Sequence, residues 1–197
     1  MNIVEVVGGP GSGKTTLVNK LLEAWPHTAS LLRLENYLRN RTSDDGDDFA
    51  LLPTSIDWPL VMAHLDALET GSSVIMPLYD WVIWRRRITP LPTPPDLMIP
   101  ACDWLIVDGL FYISQIQSVR LFVDAPADVR RERATAVDTH LSQSLGGAYD
   151  LVAEPAYTTH ILPQRAQAQI VLDGRLDRDT LADQALRALA SRWSGWG

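Results

Sequence analysis

Apolar residues along the chain fall in short runs that end on a polar residue or glycine, and between these runs they recur at helical spacing. Residues 3–7 are such a run, interrupted only by Glu5, and predict a buried parallel strand. Gly8-Gly9-Pro10-Gly11-Ser12-Gly13-Lys14-Thr15-Thr16 follows, and then Leu17, Val18, Leu21 and Leu22 mark a helix up to about Trp25-Pro26. A second apolar run, 29–34, ends at Glu35-Asn36-Tyr37, and the polar, acidic stretch 40–48 predicts a solvated loop. Ser55 or Asp57 can cap a helix with Leu60, Val61, His64, Leu65 and Leu68 on one face, stopped by Gly71. Further strands are expected at 74–76, 104–107, 119–123 and 169–172, and helices over 126–140 and 176–193. Five prolines in 89–100 argue for an extended connection without regular structure, and 142–149 reads as a mobile polar segment. Strands alternating with helices imply an α/β fold with a parallel sheet and right-handed crossovers.

Composition narrows the class. The chain has 197 residues, 46% of them apolar, which suits one domain with a substantial core. Seventeen basic against 24 acidic residues give a net charge of -7, so binding nucleic acid through charge alone is not expected. A single cysteine, Cys102, allows no internal disulfide, and four scattered histidines give no zinc motif. No apolar run is long enough to span a bilayer, and the first residues lack a secretory pattern. The expectation is a soluble protein of a reducing cytoplasm that binds neither nucleic acid nor membrane, with a homo-oligomer left open. Lys14 and Lys20 are the only lysines among many arginines, which makes a lysine inside a motif more informative.

Gly8-x4-Gly13-Lys14-Thr15 has the spacing of a phosphate-binding P-loop. Successive backbone N–H groups and the positive end of the following helix suit an anion. Lys14 can bridge β- and γ-phosphates, and the Thr15 hydroxyl can ligate Mg²⁺. Gly8, Gly9, Pro10, Gly11, Ser12, Gly13, Lys14, Thr15 and Thr16 are therefore the candidate ATP site. Trp104-Leu105-Ile106-Val107-Asp108 is an apolar strand ending in the carboxylate such a site needs for its metal; Asp124 closes a similar run, and Asp108 is favoured. No guanine-reading N-K-x-D motif is present, and Leu141 to Gly147 is only a scrambled echo of a transporter-ATPase signature, read as a loop.

The motifs in order resemble the phosphoribulokinase/uridine kinase family. The P-loop, Glu35-Asn36-Tyr37-Leu38-Arg39, Ile56-Asp57-Trp58-Pro59, Pro77-Leu78-Tyr79-Asp80 with Arg86, Ile106-Val107-Asp108-Gly109 and the stretch Phe122 to Arg130 are similar to the family's segments. The resemblance implies a P-loop kinase with a five-stranded parallel sheet and helices on both faces. It also implies a small β-hairpin insertion at 72–100 and a lid over 126–149. It implies Glu35 as the base that activates the acceptor hydroxyl, and Asp57 as a ribose ligand. Tyr37, Tyr79, Asp80, Trp84 and Arg86 would line the acceptor pocket, and Arg130 and Arg133 would meet phosphates. Each has a plainer alternative: a surface acid at Glu35, a helix cap at Asp57, a solvated hairpin face at Arg86, packing for the aromatics and surface charge for the arginines. The sequence departs from the family at Glu35 and Asp108, where the family has Asp and Glu respectively. Leu38 and Trp84 replace base-reading residues, so uridine and cytidine are expected to be poor acceptors. The expected activity is ATP–Mg²⁺-dependent phosphorylation of a hydroxyl on a nucleoside or similar polyol. A nucleotide, a pantothenate-like alcohol or a sugar phosphate are alternative acceptors, as is a nucleotide-binding module without transfer.

Overall fold

A computed structural model describes residues 1–88, 92–136 and 149–193. In chain order the strands are β1 (Asn2–Val7), β2 (Ala29–Arg33), β3 (Val74–Ile75), β4 (Leu78–Asp80), β5 (Arg85–Arg87), β6 (Met98–Ile99), β7 (Trp104–Gly109), β8 (Val119–Asp124) and β9 (Ile170–Asp173). The main helices are α1 (Lys14–Ala24), α2 (Trp58–Glu69), α3 (Ala127–Ala136) and α4 (Arg178–Trp193).

The central sheet has the order β2-β7-β1-β8-β9, and every neighbouring pair is parallel. Successive side chains point to opposite faces. Ile3, Val7, Leu32, Leu105, Val107 and Phe122 join the core that holds α2, while Val4, Val6, Ile106, Leu121 and Val123 join the core of α1 and α4. A sheet buried on both faces accounts for strands that read as unbroken apolar runs. Glu5 is the exception. It is fully buried and accepts hydrogen bonds from the Ile113 N–H at 2.6 Å, the Ser118 hydroxyl and Arg120 Nε at 3.3 Å. Burial pushes its carboxyl up, and these donors work against that. The interruption in the first run is thus an anchor for the β7–β8 connection.

The register places the chemistry. Asp108 lies beside Val6 on one side and Arg33 on the other, so the strand-end acid emerges next to the loop that follows β1. That loop runs directly into α1.

Several elements depart from expectation. The proline-rich stretch is not all irregular: Pro95–Leu97 make a 3-10 turn and β6 pairs antiparallel with β3. Helix α2 is capped by Asp57, not Ser55. The acidic loop is not simply solvated. Arg39 grips Asp45 with both Nη atoms, the Thr42 N–H donates to the same carboxylate at 2.8 Å, and Arg41 reaches Asp47 at 3.2 Å. The Arg39 fork and the Thr42 amide hold the Asp45 carboxyl well below its usual range. Residues 149–167 form consecutive helical turns that no periodicity announced, with Pro155 and Pro163 inside them. Of the expected lid, 137–148 lie outside the described residues, as do 89–91 and Trp196 of the tail.

Candidate active site

The loop between β1 and α1 keeps its shape through glycine. Gly11 has φ +75° and Gly13 φ +102°, in the left-handed region that L side chains avoid. A Cβ on Gly11 would also run into the Arg130 carbonyl. Gly13 caps α1 with no side-chain hydrogen bond, so the first N–H groups of the helix keep their capacity for an anion. Among the described residues, the Ser12 hydroxyl is buried without a hydrogen-bond partner. Uncapped donors and an orphaned hydroxyl in one loop fit a phosphate chain.

Lys14 and Thr15 open α1, and the Thr15 hydroxyl donates to Asp108 Oδ2 at 3.4 Å. Burial pushes the Asp108 carboxyl up, and the charges of Lys14 and Arg33 and the Thr15 hydrogen bond pull against it. Two hard oxygen donors converging beside a phosphate cradle suit Mg²⁺. Arg33 is a member of this site that the sequence did not mark. Asp124 instead pairs with Arg165 Nε at 2.9 Å.

One cavity of about 80 Å³ joins these groups to the acceptor side. Lys14, Thr15 and Asp108 line it together with Glu35, and Leu34, Leu38, Ala50, Ile56, Trp81, Gly109, Leu110 and Phe111 complete the wall. A larger hollow, about 530 Å³, lies at the far end of the sheet beside Asn2, Val119 and Arg192, and none of the P-loop or acceptor-side residues lines it.

Of the seven residues expected to bind acceptor, only Glu35 lines the cavity. Tyr37 is fully buried, with its hydroxyl 2.8 Å from His64 Nδ1. Asp57 Oδ1 accepts the Leu60 N–H at 3.1 Å and Oδ2 pairs with Arg86 at 2.8 Å. Arg86 also donates to the carbonyls of Leu38 at 2.9 Å and Tyr37 at 2.8 Å, so it ties the hairpin to the segment after β2. Desolvation pushes Asp57 up, but Arg86 and the Leu60 amide outweigh it and leave the carboxyl below its ordinary value. The Tyr79 hydroxyl donates to the Arg39 carbonyl at 3.3 Å. Asp80 accepts from the N–H groups of Val82 and Ile83 and pairs with Arg87, which fixes the hairpin turn. Trp84 sits at φ +54° and packs edge-on against Phe49 and Trp81.

The two α3 arginines also have partners. Arg130 is 2% exposed and donates to the Ala125 carbonyl at 3.0 Å, the Tyr149 hydroxyl at 3.4 Å and Glu154 at 2.8 Å. Its guanidinium lies 3.5 Å from the centre of the Tyr157 ring. Arg133 donates to the Gly174 carbonyl at 2.6 Å, and its Nη1 is 3.8 Å from where a Cβ on Gly13 would stand. Arg130 therefore ties the start of α3 to residues 149–157, and Arg133 lies along the edge of the P-loop.

The parallel order, the P-loop and the acid at the end of its neighbouring strand define a P-loop kinase fold. No protein-family model matches the chain. Among curated proteins, the uridine kinase of Deinococcus deserti is 29% identical, with 86% of each chain covered. The uridine kinase of Halobacterium salinarum is 24% identical over 98% of this chain and 90% of its own. The uridine-cytidine kinase B of Dictyostelium discoideum is 24% identical over 98% of this chain and 82% of its own. A solved structure from Silicibacter sp. TM1040, ascribed to a fructose transport system kinase, superposes with a TM-score of 0.56 at 19% identity, covering 80% of this chain and 84% of that one. At that identity it speaks for the fold alone. The chain is similar to uridine kinases over most of its length and is a phosphotransferase with the P-loop kinase fold. Among the described residues, no helix is long and apolar enough to cross a membrane.

Proposed function

We propose that the chain transfers the γ-phosphoryl group of ATP, in the presence of Mg²⁺, to a hydroxyl of a small molecule bound beside Glu35. The observation that carries this reading is that Lys14, Thr15, Asp108 and Glu35 line one cavity. The backbone of 8–16 would hold the phosphates, and Lys14 would offset charge that builds on the transferring group. Thr15 and Asp108 would hold the Mg²⁺, which, when bound, screens the phosphate oxygens. Glu35 would accept the hydroxyl proton as the acceptor oxygen approaches phosphorus. Arg133, at the edge of the P-loop, would face the phosphates from α3, whereas Arg130 would tie α3 to residues 149–157. Positioning supplies most of the rate in such a reaction. Trp81 of the hairpin would border the acceptor, and α3 would flank the phosphates.

The relatives' names carry uridine and cytidine, so these are the first acceptors to test beside other small alcohols. Incubation with ATP and Mg²⁺ should give ADP and a phosphomonoester in equal amounts, visible by phosphorus NMR. ADP release that no acceptor raises above the basal rate would overturn the reading.

A further inference from the structure

Glu35 stands on a short turn whose orientation is set from α2. It is the exposed second residue of the 3-10 turn Leu34–Tyr37, which joins β2 to a segment paired antiparallel with 55–57. In such a turn residues three apart lie on one side. Leu34 and Tyr37 are both buried there, and Glu35 faces away from them. Leu34 packs over Gly109, where a Cβ would run into it. That contact is apolar and has no direction, so the rotation of the turn falls to Tyr37.

Helix α2 grips Tyr37 at two points. The N–H of Asp57, the cap of α2, donates to the Tyr37 carbonyl at 2.9 Å. About two turns further along the helix, on the same face, His64 places Nδ1 2.8 Å from the Tyr37 hydroxyl. The two rings meet edge to face with centroids 5.5 Å apart. Tyr37 is fully buried, and a buried phenol needs an acceptor for its proton. Burial, opposed by Arg86, pushes the phenol up, so the hydroxyl keeps that proton. Burial and then the charge of Arg86 push the His64 imidazole down, which leaves it neutral near pH 7. The hydroxyl therefore donates to Nδ1, and the imidazole proton is assigned to Nε2.

We propose that His64 is a positioning residue for phosphoryl transfer: through Tyr37 it holds the turn so that the Glu35 carboxylate meets the acceptor hydroxyl. The inference rests on the reading of Glu35 as the base. Arg86 holds the same segment through the carbonyls of Tyr37 and Leu38, which fixes the backbone leaving the turn but not the Tyr37 ring. With no acceptor at position 64 the phenol must turn out of its place or stay unpaired, and the backbone beside Glu35 shifts with it. A misplacement of about 1 Å in a reacting group can cost roughly 10²-fold in rate. The acceptor proton still passes to Glu35, and His64 exchanges none.

The test is steady-state kinetics with ATP and Mg²⁺ and whichever of uridine, cytidine, ribose and glycerol the parent turns over best. His64→Leu should lower kcat roughly 10–100-fold, while the KM for ATP changes less than about twofold. Tyr37→Phe, which removes a single oxygen, should lose the same factor, and it decides the matter should His64→Leu not fold. His64→Asn, whose side-chain oxygen stands near the place of Nδ1, should return kcat to within about threefold of the parent. Combining Tyr37→Phe with Glu35→Gln should cost nothing beyond Glu35→Gln alone, because the pair acts only through that carboxylate; a merely structural role would not show this. An unchanged kcat in His64→Leu or Tyr37→Phe, no recovery in His64→Asn, or a full further loss on top of Glu35→Gln overturns the inference and leaves the phosphotransfer reading standing. ADP release by the parent that none of the four acceptors raises overturns both.

Discussion

Replacing Arg130 by methionine separates two roles for this residue, a tie between α3 and residues 149–157 and a ligand for phosphate. Methionine retains most of the stem volume, so the loss is that of the guanidinium. The charged hydrogen bond to the Ala125 carbonyl, at 3.0 Å and fully enclosed, is worth about 1.5 kcal/mol. The ion pair with Glu154 has one partner with a side chain 28% exposed, so water can reclaim much of that carboxylate. Its share is set at about 1 kcal/mol, below the 3–5 kcal/mol seen when a fully buried pair is broken. The guanidinium over the Tyr157 ring adds about 1 kcal/mol. The sum, about 3.5 kcal/mol, corresponds to a fall in Tm of roughly 7–14 °C for a chain of this size. Thermal unfolding without ligand, followed by circular dichroism, measures it. Adding Glu154→Gln to Arg130→Met should cost less than its effect alone, with a coupling of about 1 kcal/mol. A Tm within about 1 °C of the parent, together with a large loss of ATP affinity, would mean that the guanidinium serves phosphate and is not a structural tie.

Lys14→Ala should abolish turnover and weaken ATP binding with Tm nearly unchanged, because Lys14 projects into the cavity and not into a core; calorimetric titration with ATP checks it. Glu35→Gln should keep ATP affinity and lose roughly 10²–10⁴-fold in kcat, the range for a general base, as measured by ADP release. Arg86→Ala should cost about 1–2 kcal/mol by releasing the carbonyls of Tyr37 and Leu38, and Arg86→Lys should not restore it, since an ammonium lacks the fork; urea unfolding measures both. Asp108→Asn should remove turnover yet raise Tm near neutral pH. Burial lifts the Asp108 carboxyl above its unfolded value, so the folded chain binds that proton more readily than the unfolded one. The resulting cost to stability is absent in acid and sets in as pH rises from the unfolded to the folded pKa; the gain in the variant should therefore fade at low pH, as Tm against pH would show.

The phosphate half of the site was legible because it is local. A glycine pattern after an apolar run fixes both the backbone shape and the helix that follows, and a strand-end acid can sit beside it only if the strands are neighbours, as β1 and β7 are. The acceptor half depends on partners distant in sequence. Nothing local to Arg86 says that it reaches the carbonyls of Tyr37 and Leu38. Nothing local to Asp57 distinguishes a cap paired with Arg86 from a ribose ligand. Ala50, Ile56 and Phe111 line the cavity with side chains whose pattern is that of any core residue. Glu5 is a further case: it shows in the sequence only as an interruption of a strand run, while its donors come from 113–120.

The bias toward arginine bears on this division. A guanidinium has five donors in a plane, so a single side chain can satisfy a carboxylate and several carbonyls at once. Arg86 does so for Asp57 and two carbonyls, Arg120 for Glu5 and the Ile113 carbonyl, and Arg130 for Glu154 and the Ala125 carbonyl. Each thereby joins a peptide segment to an acid from another part of the chain, which is structural work that an ammonium with a compact charge does poorly. An arginine near a phosphate site is for this reason weak evidence of phosphate contact in a chain that uses arginines as struts. Lys20 lies in a surface pair with Glu23 and Asp179. Lys14 is the other lysine, and it stands on the cavity wall beside Thr15 and Asp108. Where a guanidinium would claim carbonyls of the loop, a point charge leaves the loop amides and the Thr15 hydroxyl to the phosphates and the metal, which is the physical reason for a lysine at this one position.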